Sequence, residues 1–201
     1  MSGHPQEANR SEMSDLSASE AALRDHLLEH SVRTGDFVLK SGRRSSWFID
    51  GKQTVCRPDG IRLVADLALE VLADLGDIDA VGGLTMGADP VAYGIAAVAA
   101  ERGRPLRSFS IRKEAKDHGV AGRVAGALQE GDRVAITEDV VTRGTSPMEA
   151  AEVVRAFGAH PVLIMPVVDR GGTCGALADA AGIAFRPLLT ARDLGFQYEG
   201  P

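Results

Sequence analysis

The feature that most constrains the fold of this chain is an alternation running from residue 78 to residue 189. Runs too short and too apolar for surface helices take turns with helical stretches. IDAVGGL (Ile78 to Leu84), PLRSFSIR (Pro105 to Arg112), RVAITEDVV (Arg133 to Val141), PVLIMPVVD (Pro161 to Asp169) and IAFRPLL (Ile183 to Leu189) read as strands. Pro90 to Ala100, Pro147 to Phe157 and Gly175 to Ala181 read as the helices between them. Strands apolar on both faces, separated by helices, predict an α/β fold with a central parallel sheet covered by helices on both faces. Ligands of such sheets bind where strands end and turns begin, so the loops after the strands are the places to search.

Ahead of this unit the pattern differs. Ser17-Ala-Ser-Glu20 is a capping box opening a helix through LRDHLLEH. His26 and His30 lie one helical turn apart; with no third ligand nearby in sequence, they read as a solvated face. DFVLK and SSWFID, joined by SGRR, read as a hairpin. Pro58-Asp59 then starts a helix that lines up Ile61, Val64, Ala65, Ala68, Val71, Leu72 and Leu75. The organisation expected is a disordered tail over 1–16 and a single domain over 17–201. Within the domain, a small N-terminal hood covers about 17–57 and the core about 58–195.

Composition narrows the partners. The formal net charge of -6 gives no reason to expect nucleic-acid binding. Yet Arg102, Arg104, Arg107, Arg112, Lys113, Lys116, His118 and Arg123 crowd one segment, which suits a small anionic ligand. The two cysteines, Cys56 and Cys174, have no metal-ligand spacing and read as reduced thiols. The N-terminal residues contain no apolar run of the signal-peptide kind, and no stretch approaches the ~18 apolar residues of a membrane span. The compartment expected is the cytoplasm.

The chemistry concentrates in Val134-Ala-Ile-Thr-Glu138-Asp139-Val140-Val141-Thr142-Arg143-Gly144-Thr145-Ser146. A strand delivers two adjacent acids and then a Thr/Gly/Ser turn opening a helix. Converging amides, a partly positive helix end and three hydroxyls make that turn an anion site. The acids suit vicinal sugar hydroxyls or the water shell of a cation. A helix cap preceded by solvated acids is the plainer alternative. Phosphate, diol and cation on one strand end together describe a ribose phosphate.

This stretch resembles the phosphoribosyl-pyrophosphate (PRPP) motif of type I phosphoribosyltransferases, with Arg143 where a second Thr is common. Arg112-Lys113-Glu-Ala-Lys116-Asp-His118-Gly119, by itself a charged loop, closely resembles the mobile catalytic loop of the orotate phosphoribosyltransferase family. The resemblance implies that Lys116 and His118 meet pyrophosphate together with Arg112 and Lys113. It also implies that the loop reaches into the neighbouring subunit's site, hence a homodimer with shared active sites. Lys40, Trp47 and Phe48 match the family's substrate hood, where the Lys touches PRPP and the aromatics pack on orotate. Arg170, at the end of PVLIMPVVD, matches the residue that grips orotate with Thr142. Thr85, Met86 and Gly87 correspond by place to the pyrophosphate loop, where many members carry a Lys near Gly87.

The reaction so implied joins PRPP and orotate into orotidine 5′-monophosphate, releasing pyrophosphate, a step of pyrimidine synthesis. Mg²⁺ is the implied cofactor, held mainly by PRPP rather than directly by the protein. Lys116, His118 and Asp139 are the catalytic candidates. Two alternatives remain: a PRPP-binding regulator of the same fold, which would not need Lys116 and His118, and a purine phosphoribosyltransferase, which would not need the loop signature or Arg170.

Overall fold

The computed structural model of the protein describes residues 16–38, 42, 44–114 and 122–199. Its first helix, α1 (Ala18–His30), begins where the capping box requires. Ser17 Oγ accepts the Glu20 N–H at 3.3 Å, and the Glu20 carboxylate accepts the Ser17 N–H at 2.7 Å. The hairpin follows as β1 (Val32–Val38) and β2 (Arg44–Ile49), paired antiparallel. Strand alternation in β2 buries Ser45, Trp47 and Ile49 and exposes Ser46 and Phe48, so the two hood aromatics face opposite ways. A single turn, α2 (Lys52–Val55), leads to α3 (Pro58–Asp74), which carries Pro in its first turn. The predicted apolar face of α3 is buried at Val64, Ala65, Ala68 and Leu72, and widens to take in Leu67 and Leu69.

The alternating region forms β3 (Ala80–Leu84), α4 (Ala88–Glu101), β4 (Arg107–Ile111), β5 (Val124–Gly126) and β6 (Arg133–Val141). Then come α5 (Thr145–Phe157), β7 (His160–Asp169), α6 (Cys174–Ala180), β8 (Ala184–Phe185) and β9 (Leu189–Thr190). The strands make one sheet in the order β5-β4-β3-β6-β7-β8, with β9 also on β7. One apolar core joins α1, the hood, α3 and α4 to one sheet face, through residues such as Leu23, Trp47, Val64, Ile95 and Leu163. A second core joins α5 and α6 to the other face, through Ile136, Ala150, Val154, Ile164 and Ala178. Among the described residues no helix is long and apolar enough to cross a membrane.

Two details depart from the purely parallel reading. β5, an unpredicted three-residue strand, runs antiparallel to β4 and closes one edge. The cationic segment is therefore flanked by two neighbouring antiparallel strands. The expected last strand is split into β8 and β9 around Pro187, which has no N–H to give to a ladder. The chain still follows β7 there, because Arg186 N–H and Leu188 N–H donate to Ile164 and Pro166 carbonyls. The tail expected over 1–16 falls, but for Leu16, outside the described residues.

Candidate active site

The strand order reverses at β3, which has β4 on one side and β6 on the other. The loops after β3 and β6 therefore diverge and leave a crevice at the carboxyl end of the sheet, the ligand position of open α/β folds. β3 stops pairing with β6 at Gly82↔Ile136, so β6 runs on past its neighbour and carries Glu138 and Asp139 to the crevice floor. Both acids are buried. Val140 packs into one core and Val141 into the other, which leaves backbone as what these residues offer a ligand.

The two acids are electrostatically unlike. Burial, reinforced by the neighbouring Asp139 charge, pushes the Glu138 carboxyl up to about 8. Asp139 Oδ2 instead receives the Lys52 ammonium at 2.7 Å. Burial would lower the Lys52 pKa, but the hydrogen bond and charge of Asp139 outweigh it and the net direction is up. Near neutral pH the crevice therefore holds a protonated Glu138 beside an Asp139–Lys52 pair. Lys52 is a site residue that sequence reasoning missed. Its only signal was a cation directly after the hood strand, and tertiary packing decides what such a residue meets.

The loop after β3 explains a departure noted in the sequence. A Cβ placed on Gly87 would lie 1.6 Å from Glu138 Oε1 and 2.6 Å from Asp139 Oδ1. The acids occupy the space a Lys would need. Thr85 is half-buried and Met86 exposed, with a cis peptide between them. Thr85 Oγ1 donates to Asp89, which also accepts Ser110 Oγ at 2.6 Å. Asp89 thus ties the loop to α4 and β4.

Across the crevice, Gly144 caps α5 with φ of 82°, a left-handed backbone that favours glycine, and a Cβ there would press on Cys174 at 3.0–3.1 Å. Thr145 and Ser146 are exposed and Thr142 half-buried. Among the described residues nothing bonds to their hydroxyls, and the first turn of α5 has no side-chain cap. Arg143 is exposed beside them. An uncapped helix start with open hydroxyls is suited to a phosphate dianion.

Arg170 is reached through the next loop. Asp169 Oδ1 accepts the N–H groups of Gly171 at 3.1 Å and Gly172 at 2.9 Å, and Arg170 N–H donates to Val141 O at 2.8 Å. Thr173 Oγ1 donates to Thr142 O at 2.9 Å. These bonds join the loops after β6 and β7 and set Arg170 beside the Thr142 turn. The guanidinium is buried, lies 4.9 Å from the Trp47 ring centroid, and donates through Nη2 to Trp47 O at 3.1 Å. The same Nη2 is ion-paired with Glu199, whose other oxygen accepts Ser45 Oγ at 2.6 Å. Arg170 Nε has no hydrogen-bond partner among the described residues. The site therefore already holds one carboxylate and keeps a spare donor beside it.

The hood aromatics divide. Trp47 is a core side chain, 1% exposed and stacked on Phe196 with centroids 4.4 Å apart. That packing leaves little of the indole face open for the substrate contact the resemblance implied. Phe48 is 41% exposed, with its ring centroid 6.0 Å from that of Phe37. Arg112 Nη1 donates to Gly122 O at 3.1 Å, and Arg123 Nε to Arg112 O at 2.9 Å, so these two arginines clamp the base of the cationic hairpin. Lys113 stands exposed above it. Lys40, Lys116 and His118 lie outside the described residues.

No family model matches the chain. Among curated proteins it is 38% identical over 186 residues to the orotate phosphoribosyltransferase of a Nostoc strain, covering 92% of this chain and 89% of the relative. Among solved structures, it resembles Mycobacterium tuberculosis orotate phosphoribosyltransferase in complex with Fe(III) dicitrate, with a TM-score of 0.79 and 34% identity. That match covers 89% of this chain and 99% of the other. The same enzyme in complex with PRPP matches with a TM-score of 0.75 and 31% identity, over 89% and 99% of the two chains.

Proposed function

The chain belongs to the orotate phosphoribosyltransferase family, and on that premise we propose how its residues divide the work. The reaction transfers the phosphoribosyl group of PRPP to orotate, giving orotidine 5′-monophosphate and pyrophosphate in pyrimidine synthesis. The observation that carries the assignment is the convergence of the Glu138–Asp139 floor, the uncapped α5 turn and the Gly87 loop on one crevice.

Glu138 and Asp139 orient the ribose hydroxyls. The N–H groups and hydroxyls of Thr142, Gly144, Thr145 and Ser146 hold the 5′-phosphate, with Arg143 at the rim. The Thr85–Gly87 loop offers backbone to the pyrophosphate. Arg112, Lys113, Lys116 and His118 serve the pyrophosphate, and Lys40 serves PRPP. Arg170 and Thr142 grip the orotate carboxylate, with Phe48 the hood aromatic open to the ring.

The donors fit Mg²⁺ in one particular way. The acids supply the hard oxygens that Mg²⁺ prefers, but Glu138 keeps its proton and Asp139 is paired with Lys52, so the protein offers no free carboxylate cage. Mg²⁺ would be held mainly by PRPP, with Asp139 and Glu138 facing its water shell and the ribose diol. When bound it neutralises charge building on the departing pyrophosphate. The protein's own part is positioning and placing cations where negative charge develops, with no covalent nucleophile.

The cationic loop completes the site of the other subunit in a homodimer, the hood (about 17–57) closes on the core (about 58–195), and the enzyme works in the cytoplasm. The test is the loss of orotate absorbance with PRPP and Mg²⁺. Turnover of orotate but of no purine base supports the assignment, and absence of orotate loss overturns it.

A further inference from the structure

Away from the crevice, the fold assembles a cluster that the sequence dismissed for want of a third ligand. A ring nitrogen of His26, one of His30 and a carboxylate oxygen of Asp59 all lie within 4.8 Å of one another. The two imidazoles share one face of α1, with ring centroids 4.5 Å apart. Asp59 comes from the first turn of α3, which packs against α1. Neither histidine is on a solvated face: their side chains are 9% and 23% exposed, while Asp59 is 67% exposed and open to water.

The hydrogen bonds around His26 allow a ligand geometry. Nδ1 lies 3.2 Å from Thr54 Oγ1, which is 2.7 Å from Ser31 Oγ. A proton on Nδ1, donated to Thr54, leaves the Nε2 lone pair facing outward. Nε2 is buried, has no hydrogen-bond partner among the described residues, and lies 3.5 Å from Asp59 Oδ2. The other carboxylate oxygen, Oδ1, is occupied by the Gly60 N–H at 3.0 Å. A buried lone pair facing a carboxylate oxygen is unfavourable unless a proton or a metal cation lies between them, and the nearby His30 ring nitrogen supplies a further donor for the metal. Metal-bound histidines are held in this way, with the second ring nitrogen fixed by a protein acceptor.

We propose that His26, His30 and Asp59 form a structural site for a borderline d-block dication of the Zn²⁺ class, clipping the hood helix α1 to the start of α3. Imidazole pairs one helical turn apart are suited to such ions, and a carboxylate completes a three-ligand set with room for water. Mg²⁺, which prefers oxygen ligands and a near-octahedral shell, does not fit two nitrogens. The buried His26 forms the floor, the exposed Asp59 the mouth, and small side-chain rotations bring the donors to bonding distance. The site is separate from the Glu138–Asp139 floor and does not rest on the assigned activity.

The test uses the full chain, stripped with a chelator and titrated with ZnCl₂ by calorimetry and thermal melting. Two variants at the more open ligands, His30→Gln and Asp59→Asn, avoid disturbing the buried His26. Wild type is expected to bind one Zn²⁺ per chain and to melt at a temperature that rises with Zn²⁺, as mass action requires. Each variant should bind at least about tenfold more weakly, the loss expected on removing a metal ligand. On adding Zn²⁺, the ring resonances of His26 and His30 should move while those of His160 stay. Co²⁺ in place of Zn²⁺ should give no thiolate charge-transfer band, which separates this site from the exposed Cys56. Equal Zn²⁺ affinity in wild type and both variants overturns the proposal, as do unmoved His26 and His30 resonances. Transfer activity in both variants, measured in parallel, confirms that each remains folded.

Discussion

Glu138 is the residue whose state depends most on its surroundings. Its carboxyl stands at about 8 instead of its ordinary 4.5 because burial and the Asp139 charge both oppose ionisation. Between those two values the folded chain holds a proton that the unfolded chain has released. Its contribution to stability is therefore full below 4.5 and is lost as pH rises through about 8. Glu138→Gln should flatten the fall of melting temperature across that window, and an unchanged slope would mean that another group titrates. Arg170 yields a second expectation. Glu199 pairs with the guanidinium proposed to hold the orotate carboxylate, and on that reading substrate and Glu199 compete for it. Glu199→Gln should lower KM for orotate by about fivefold at similar kcat. A KM for orotate that does not fall would place the substrate carboxylate elsewhere.

At the scale of elements, the turn between β6 and α5 is the most demanding. Gly144 combines a left-handed φ with a wall formed by Cys174, so no other residue fits without strain. Gly144→Ala should cost roughly 1–3 kcal/mol, with a melting-temperature drop of about 2–4 °C per kcal/mol. On the proposed reading of this turn as the phosphate cradle, KM for PRPP should rise far more than KM for orotate. Equal changes in both would assign the turn to stability alone. The hairpin of β4 and β5 is the element that periodicity concealed. Val124 to Gly126 is too short and too glycine-rich to announce a strand, and it becomes one because β4 offers an open edge. That pairing fixes both ends of the cationic loop and explains why Arg112 and Arg123 each give a hydrogen bond to backbone at the loop's base, Arg123 also pairing with Glu149.

For the whole molecule, the question is whether a site needs two chains. If the cationic loop completes the partner's crevice, a Lys116→Ala chain mixed with an Asp139→Asn chain forms dimers in which one site has a sound loop and a sound floor. Random reassortment makes about half of the dimers mixed, each with one intact site, so activity should recover to near a quarter of wild type. Neither parent should be active alone. No recovery despite proven subunit exchange would mean that each loop closes over its own chain's site.

The sequence by itself determined whatever rests on local spacing. Apolar runs alternating with helical stretches specified the α/β sheet, the Ser17–Glu20 box placed the start of α1, and the Gly144 turn after the adjacent acids marked the start of α5. These were legible because period, cap and turn chemistry act between residues a few positions apart. Only the tertiary structure decided which distant residues meet. It paired Lys52 with Asp139, filled the space beside Gly87 with carboxylates, buried Trp47 under Phe196, and brought Asp59 to His26 and His30. The physical reason is that such contacts are set by how helices and strands pack in three dimensions, so residues far apart along the chain become neighbours without any signal in the spacing between them.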